Sequence, residues 1–222
     1  MSKFRQTRVY DLLAASPLIL FNSLAIGGLL IRMVQGIQNQ TALSSLVATL
    51  NFLSLAAVMM FVGLQTVFLL IRKLPRQFSE SIFSQALALV ASNAGLSLVL
   101  LPHATISNLT QITSSLLVLV GASASTFVMI WLGKGFSVLP QARRLTMDGP
   151  YRFVRHPLYL SEMIITLGMT LQYRQPWATV LALAITAIQF PRMIYEERVL
   201  ESVFPDYRPY IGRTARFLPG IF

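Results

Sequence analysis

The sequence predicts an all-α, polytopic transmembrane bundle, and three observations carry that reading. Of its 222 residues 55% are apolar and only 12% charged, with a mean hydropathy of +0.63, well outside the soluble range. Apolar runs close to the 20 residues needed to cross a hydrocarbon core recur along the chain. The basic residues fall between those runs, in alternate loops.

Six runs stand out, at about Leu12–Ile31, Leu43–Ile71, Ile82–Leu101, Ile112–Leu132, Leu158–Tyr173 and Trp177–Ile194. The first four are long enough to span, the second with length to spare for tilt. The last two are short and separated by Arg174-Gln-Pro176, which predicts a tight helical hairpin. The tail beyond them alternates aromatic and charged residues, as suits an interfacial helix. Residues 1–132 are then a set of N-terminal helices and residues 133–222 a polar core of loop, hairpin and tail, within one integral domain.

Sixteen of the eighteen Lys and Arg lie at the N-terminus, in the second and fourth loops and in the tail, leaving Arg32 and Arg174 opposite. The positive-inside rule puts both termini and the fourth loop in the cytoplasm. It also accounts for the net charge of +10 without a nucleic-acid partner. Lys3, Arg5 and Arg8 precede a run too long for a signal-peptide core, with no small-residue cleavage pattern, so the first span is expected to be retained.

The absence of cysteine excludes a disulfide framework, a thiolate metal site and a Cys nucleophile. With His103 and His156 the only histidines, a multi-histidine metal centre is not expected, and His103 reads as a solvated loop residue. Gly133-Lys-Gly135 is too short for a phosphate loop and follows a helix. Asn22, Asn51, Gln65 and Asn93 in the early spans read as packing polars that bond between helices. Asn39-Gln-Thr41 and Asn108-Leu-Thr110 match a glycosylation pattern, a weak signal.

Chemistry concentrates in the last third. Asp148-Gly-Pro-Tyr-Arg-Phe-Val-Arg-His-Pro-Leu-Tyr159 places Arg152, Arg155, His156, Tyr151 and Tyr159 between a Gly-Pro turn and a helix that Pro157 can begin. A helix start offers free N–H groups and partial positive charge. Glu162 falls one turn inside the next span, where an ionised group is expensive unless partnered; it is expected to pair with Arg155 or His156, or to line a wet cavity. Arg192 and Glu196, four apart, share a helix face. Pro191 is expected to kink the helix before them. The basic loop residues serve equally well as topology determinants and headgroup contacts.

Gly149-Pro-Tyr-Arg-Phe-Val-Arg-His-Pro-Leu-Tyr159, with Glu196-Glu197, Phe204, Tyr207, Tyr210 and Arg216…Pro219 behind it, resembles the isoprenylcysteine carboxyl methyltransferases and related phospholipid methyltransferases. The resemblance runs from about Gly133 to Pro219. It implies an integral-membrane enzyme that uses S-adenosyl-L-methionine. The cofactor contacts it implies are Arg144, Leu145, Thr146, Tyr151, His156, Pro157, Leu158, Tyr159 and Glu196, with Glu197 the alternative glutamate and Arg192 the substrate-side residue. The acceptor it implies is lipophilic, a prenylcysteine-type carboxylate or a lipid amine entering from the bilayer. The carboxylate is favoured, since it needs no general base. Arg155, Glu162 and Glu197 remain further candidates.

Two other classes fit parts of the pattern. Membrane sterol reductases also carry Arg-His-Pro-x-Tyr and would use NADPH. A non-enzymatic lipid-binding protein would hold anionic headgroups on the basic loop.

Overall fold

The computed structural model describes residues 7–38, 46–74, 77–78, 82–137, 139 and 141–217. Arg76, the Asn39–Thr41 pattern and Pro219 lie outside them. The helices are α1 Arg8–Gln38, α2 Leu46–Ile71, α3 Ile82–Asn93, α4 Leu96–Val99, α5 Asn108–Leu132, α6 Pro157–Thr170, α7 Trp177–Val203 and α8 Tyr207–Arg213. Two-residue strands β1 Gln77–Phe78 and β2 Gln141–Ala142 pair antiparallel, and 3-10 turns cover Gly133–Gly135 and Gly149–Arg152. The all-α membrane bundle read from the sequence is the fold observed.

Among the described residues four helices are long and apolar enough to cross a membrane: α1, α2, α5 with its 3-10 extension to Gly135, and α7. The other two expected spans differ in detail. Ile82–Leu101 is divided by a turn at Ala94-Gly95 into α3 and α4, and α6 has 14 residues, about 21 Å of helix. Nor is the last helix short. It runs 27 residues, continuing through Pro191 to Val203, because a proline in a membrane helix can leave its freed carbonyl to other partners. The expected interfacial helix is the seven-residue α8, with Tyr207 and Tyr210 buried rather than spread along an interface.

Contacts at the two ends show how the chain runs. At one end the Lys73 N–H donates to the Lys134 carbonyl at 3.0 Å, Arg8 Nη1 donates to the Arg72 carbonyl at 2.6 Å, and β1 meets β2. At the other, the Arg174 N–H donates to the Pro102 carbonyl at 3.0 Å and His103 stacks on Tyr173, ring centroids 4.8 Å apart. His103 is exposed, as expected of a loop residue, but it is held against that ring. Arg8, Arg72, Lys73, Lys134, Arg143 and Arg144 cluster at the first end, while Arg174 sits at the second.

Asp11 ties the first end together. Fully buried, it accepts from Arg72 Nε at 3.0 Å and from Arg143, so α1, the end of α2 and the segment after β2 share one carboxylate. Burial, then the neighbouring Arg143 guanidinium, lowers the Arg72 pKa to about 10; both arginines stay charged at neutral pH. Helices α5 and α6 make the closest helix pair, brought together by small residues. A Cβ on Gly121 would lie 2.8 Å from the Ile165 nitrogen, and one on Gly168 2.9 Å from Leu117 Cβ. Ser114 Oγ donates to the Gly168 carbonyl and Ser125 Oγ to Ser161 Oγ, each at 2.8 Å. Small residues with interhelical hydrogen bonds are how helices associate where no hydrophobic force separates protein from lipid. Large apolar side chains such as Leu20, Leu24, Met60, Phe127 and Ile130 face outward, the surface a lipid solvent requires.

Candidate active site

The central loop is built by local rules. Gly149 has φ +58°, and a Cβ there would clash with Trp131 Cε2; only glycine allows this turn. Pro150 follows in the 3-10 turn and Pro157 occupies the first turn of α6. The loop is pinned from the tail: the Arg155 N–H donates to the Ala215 carbonyl at 2.8 Å, and Tyr210 Oη donates to the Tyr151 carbonyl at 2.6 Å. Burial raises the Tyr210 pKa to about 12, so that hydroxyl keeps the proton it donates. Tyr151 is pushed up as well, by burial and then by the charge of Glu196.

Glu196 and Glu197 are separated by the roughly 100° turn per residue of a helix. Glu197 points to the tail and loop. Its Oε1 lies 3.0 Å from His156 Nε2 and 3.3 Å from Arg155 Nη1, and its Oε2 accepts from Arg216 Nη2 at 2.9 Å. Hydrogen bonding to Glu197 raises the Arg216 pKa. Glu196 points the other way and accepts from Tyr159 Oη at 2.9 Å. The Arg192 guanidinium lies over the same tyrosine ring, 4.9 Å from its centroid, and Arg192 Nη1 donates to Gln189 Oε1 at 3.3 Å.

These groups face a cavity of about 550 Å³, within the range of small-molecule sites. Arg144, Leu145, Thr146, Tyr151, Arg155, His156, Leu158, Tyr159, Glu162, Arg192 and Glu196 all line it; Pro157 and Glu197 do not. Pro157 sets the start of α6, and Glu197 is spent on Arg155, His156 and Arg216. The pairing expected between Glu162 and Arg155 or His156 is not formed, because Glu197 takes both. Glu162 faces the cavity instead. Beyond this polar end the cavity continues as an apolar arm between α1, α2, α6 and α7, walled by residues such as Leu29, Phe61, Ile165 and Ile185.

Two buried donors in the polar wall, Thr146 Oγ1 and Arg155 Nε, have no hydrogen-bond partner among the described residues. Orphaned buried polar atoms call for an explanation, and a polar ligand is one. Among the described residues no group of three or more His, Asp or Glu is placed to hold a metal ion.

Comparison with known families bears on the class. A family model described as phospholipid methyltransferase matches residues 104–207, the segment that supplies α5, the Arg144–Thr146 wall, the central loop, α6 and α7. Residues 104–207, just under half of the chain, are similar to that family. The family supports a membrane methyltransferase in general terms. Over 105 residues the chain is 35% identical to the cobalt-zinc-cadmium resistance protein CzcN of Cupriavidus metallidurans, covering 46% of this chain and 48% of that protein. Over 116 residues it is 31% identical to the nickel-cobalt-cadmium resistance protein NccN of Alcaligenes xylosoxydans xylosoxydans, covering 50% and 54%. The chain thus spans about half the length of the curated relatives it matches.

Sequence reasoning missed Asn22 and Gln65 as cavity residues, along with Phe136, Gln141 and Gln189. None belongs to a motif. For Asn22, Gln65 and Gln189 the signal was a polar side chain within an apolar run, which also marks ordinary packing positions.

Proposed function

We propose that this chain is an integral-membrane methyltransferase that takes S-adenosyl-L-methionine from the cytoplasmic side and a lipophilic acceptor from the bilayer. The observation that carries the reading is one cavity in which a polar chamber, walled by Arg144–Thr146, Tyr159, Arg192 and Glu196, opens into an apolar arm. The residues present fit the cofactor. Thr146 Oγ1 and Arg155 Nε are unspent donors suited to its carboxylate, and Glu196 suits its ammonium or ribose hydroxyls. When bound, the cofactor supplies an electrophilic methyl on a sulfonium. The chain's own work is positioning: Tyr159 holds Glu196 through their hydrogen bond, and Glu197 locks the loop to the tail. The apolar arm keeps water from the acceptor. Methyl transfer is an in-line displacement, so alignment is the main source of rate.

A carboxylate acceptor would be oriented by Arg192 and would need no base. Glu162 favours a second reading. Its carboxylate faces the cavity and makes no hydrogen bond among the described residues, so it is available to take a proton from an amine acceptor.

Calorimetric titration of the detergent-purified protein with S-adenosylhomocysteine, and with NADPH in parallel, tests the proposal. Saturable binding of the former is expected. Binding of NADPH alone would move the protein to the reductase class.

A further inference from the structure

The part of the cavity wall that lies outside the family match carries an unspent pair of amides. On α1, Asn22 is buried and its Nδ2 donates to Gln65 Oε1 at 3.0 Å and Thr66 Oγ1 at 3.1 Å, both on α2. That uses half of each amide. Asn22 Oδ1 accepts no hydrogen bond and Gln65 Nε2 donates none among the described residues, yet both side chains line the cavity. Two polar groups serving only to join α1 and α2 would have no reason to leave one acceptor and one donor beside a ligand space in an apolar bundle, where each is costly unless satisfied. A hydroxyl satisfies both, donating to Asn22 Oδ1 while accepting from Gln65 Nε2. Asn22 lies eleven residues beyond Asp11 and Gln65 seven before Arg72, so at 1.5 Å per residue the pair sits roughly 10–16 Å inside the cationic end. That is close to the depth of Glu162 and Arg192, beside the polar chamber and not at the arm's far tip.

We propose that Asn22 and Gln65 form a hydroxyl-reading subsite, and that the acceptor is a lipid bearing a hydroxyl near its reacting carboxylate or amine. This rests on the methyltransferase reading, since that reading makes the cavity an acceptor site.

The test is titration of the detergent-purified protein with two matched pairs: hexadecanoic acid against 3-hydroxyhexadecanoic acid, and hexadecylamine against 1-aminohexadecan-2-ol. The hydroxylated member of at least one pair is expected to bind about tenfold tighter, the weight of one to two well-made buried hydrogen bonds. In Asn22→Leu and Gln65→Leu that preference should disappear, with S-adenosylhomocysteine binding kept. Gln65→Met, which keeps the side-chain length, serves if either variant melts early. Equal binding within both pairs, no binding of any of the four, or a preference that survives both substitutions overturns the subsite. Loss of S-adenosylhomocysteine binding in the wild-type protein overturns the methyltransferase reading instead.

Discussion

Adjacent on α7, Glu196 and Glu197 turn into different surroundings, and their substitutions should separate cleanly. Glu197 is 7% exposed and faces Arg155, His156 and Arg216. Removing a buried charge from its partners costs about 3–5 kcal/mol. Glu197→Ala should therefore lower the melting temperature by several degrees or prevent recovery of folded protein. Glu196 accepts a hydrogen bond from the Tyr159 hydroxyl and faces the ligand space. Glu196→Ala should leave the melting temperature nearly unchanged and weaken S-adenosylhomocysteine at least tenfold, read by calorimetry. If the two phenotypes came out reversed, the roles given to these carboxylates would be exchanged. The i, i+4 spacing made the Arg192–Glu196 face legible in the sequence. Which of two neighbouring glutamates faces the ligand was not, because the choice is made by Arg216, which the chain brings back from 19 residues away. The unspent half of the Asn22–Gln65 pair was equally hidden, since it depends on two helices meeting 43 residues apart.

At the scale of elements, the α5–α6 contact sets where the cavity wall stands. Gly121 and Gly168 leave no room for a methyl group against Ile165 and Leu117. Overpacking typically costs about 1–3 kcal/mol. Gly121→Ala and Gly168→Ala should each destabilise by that order in thermal denaturation and, by displacing α6 and its Tyr159, weaken S-adenosylhomocysteine as well. A variant with wild-type stability and binding would show that α6 can shift without consequence. Hydropathy located the long apolar helices, since hydrophobic length is what a bilayer demands. It did not show the turn at Ala94-Gly95 or the continuation of α7 through Pro191. Those depend on which backbone groups neighbouring helices can satisfy, and apolar composition carries no record of that.

Over the whole molecule, Asp11 joins the N-terminal helices to the segment that carries Arg144. Its replacement by alanine leaves Arg72 and Arg143 buried and facing each other. A loss of about 3–5 kcal/mol is expected, with Asp11→Asn intermediate; unchanged thermal stability in both would show that the tie is dispensable. We propose that the cationic end of the bundle, and the polar end of the cavity with it, faces the cytoplasm, as the positive-inside rule expects. The lack of cysteine allows a direct check. A membrane-impermeant maleimide should label His103→Cys in intact cells and Arg208→Cys only after permeabilisation, and the opposite pattern would invert the topology.

The most direct test of the central claim is transfer of tritium from methyl-labelled S-adenosyl-L-methionine, incubated with purified protein and a membrane lipid extract. The account requires label in the organic phase that depends on the protein and is lost in Glu196→Ala; release by mild base would mark a carboxyl ester, and resistance an amine. No protein-dependent label in a folded sample that binds S-adenosylhomocysteine would contradict it.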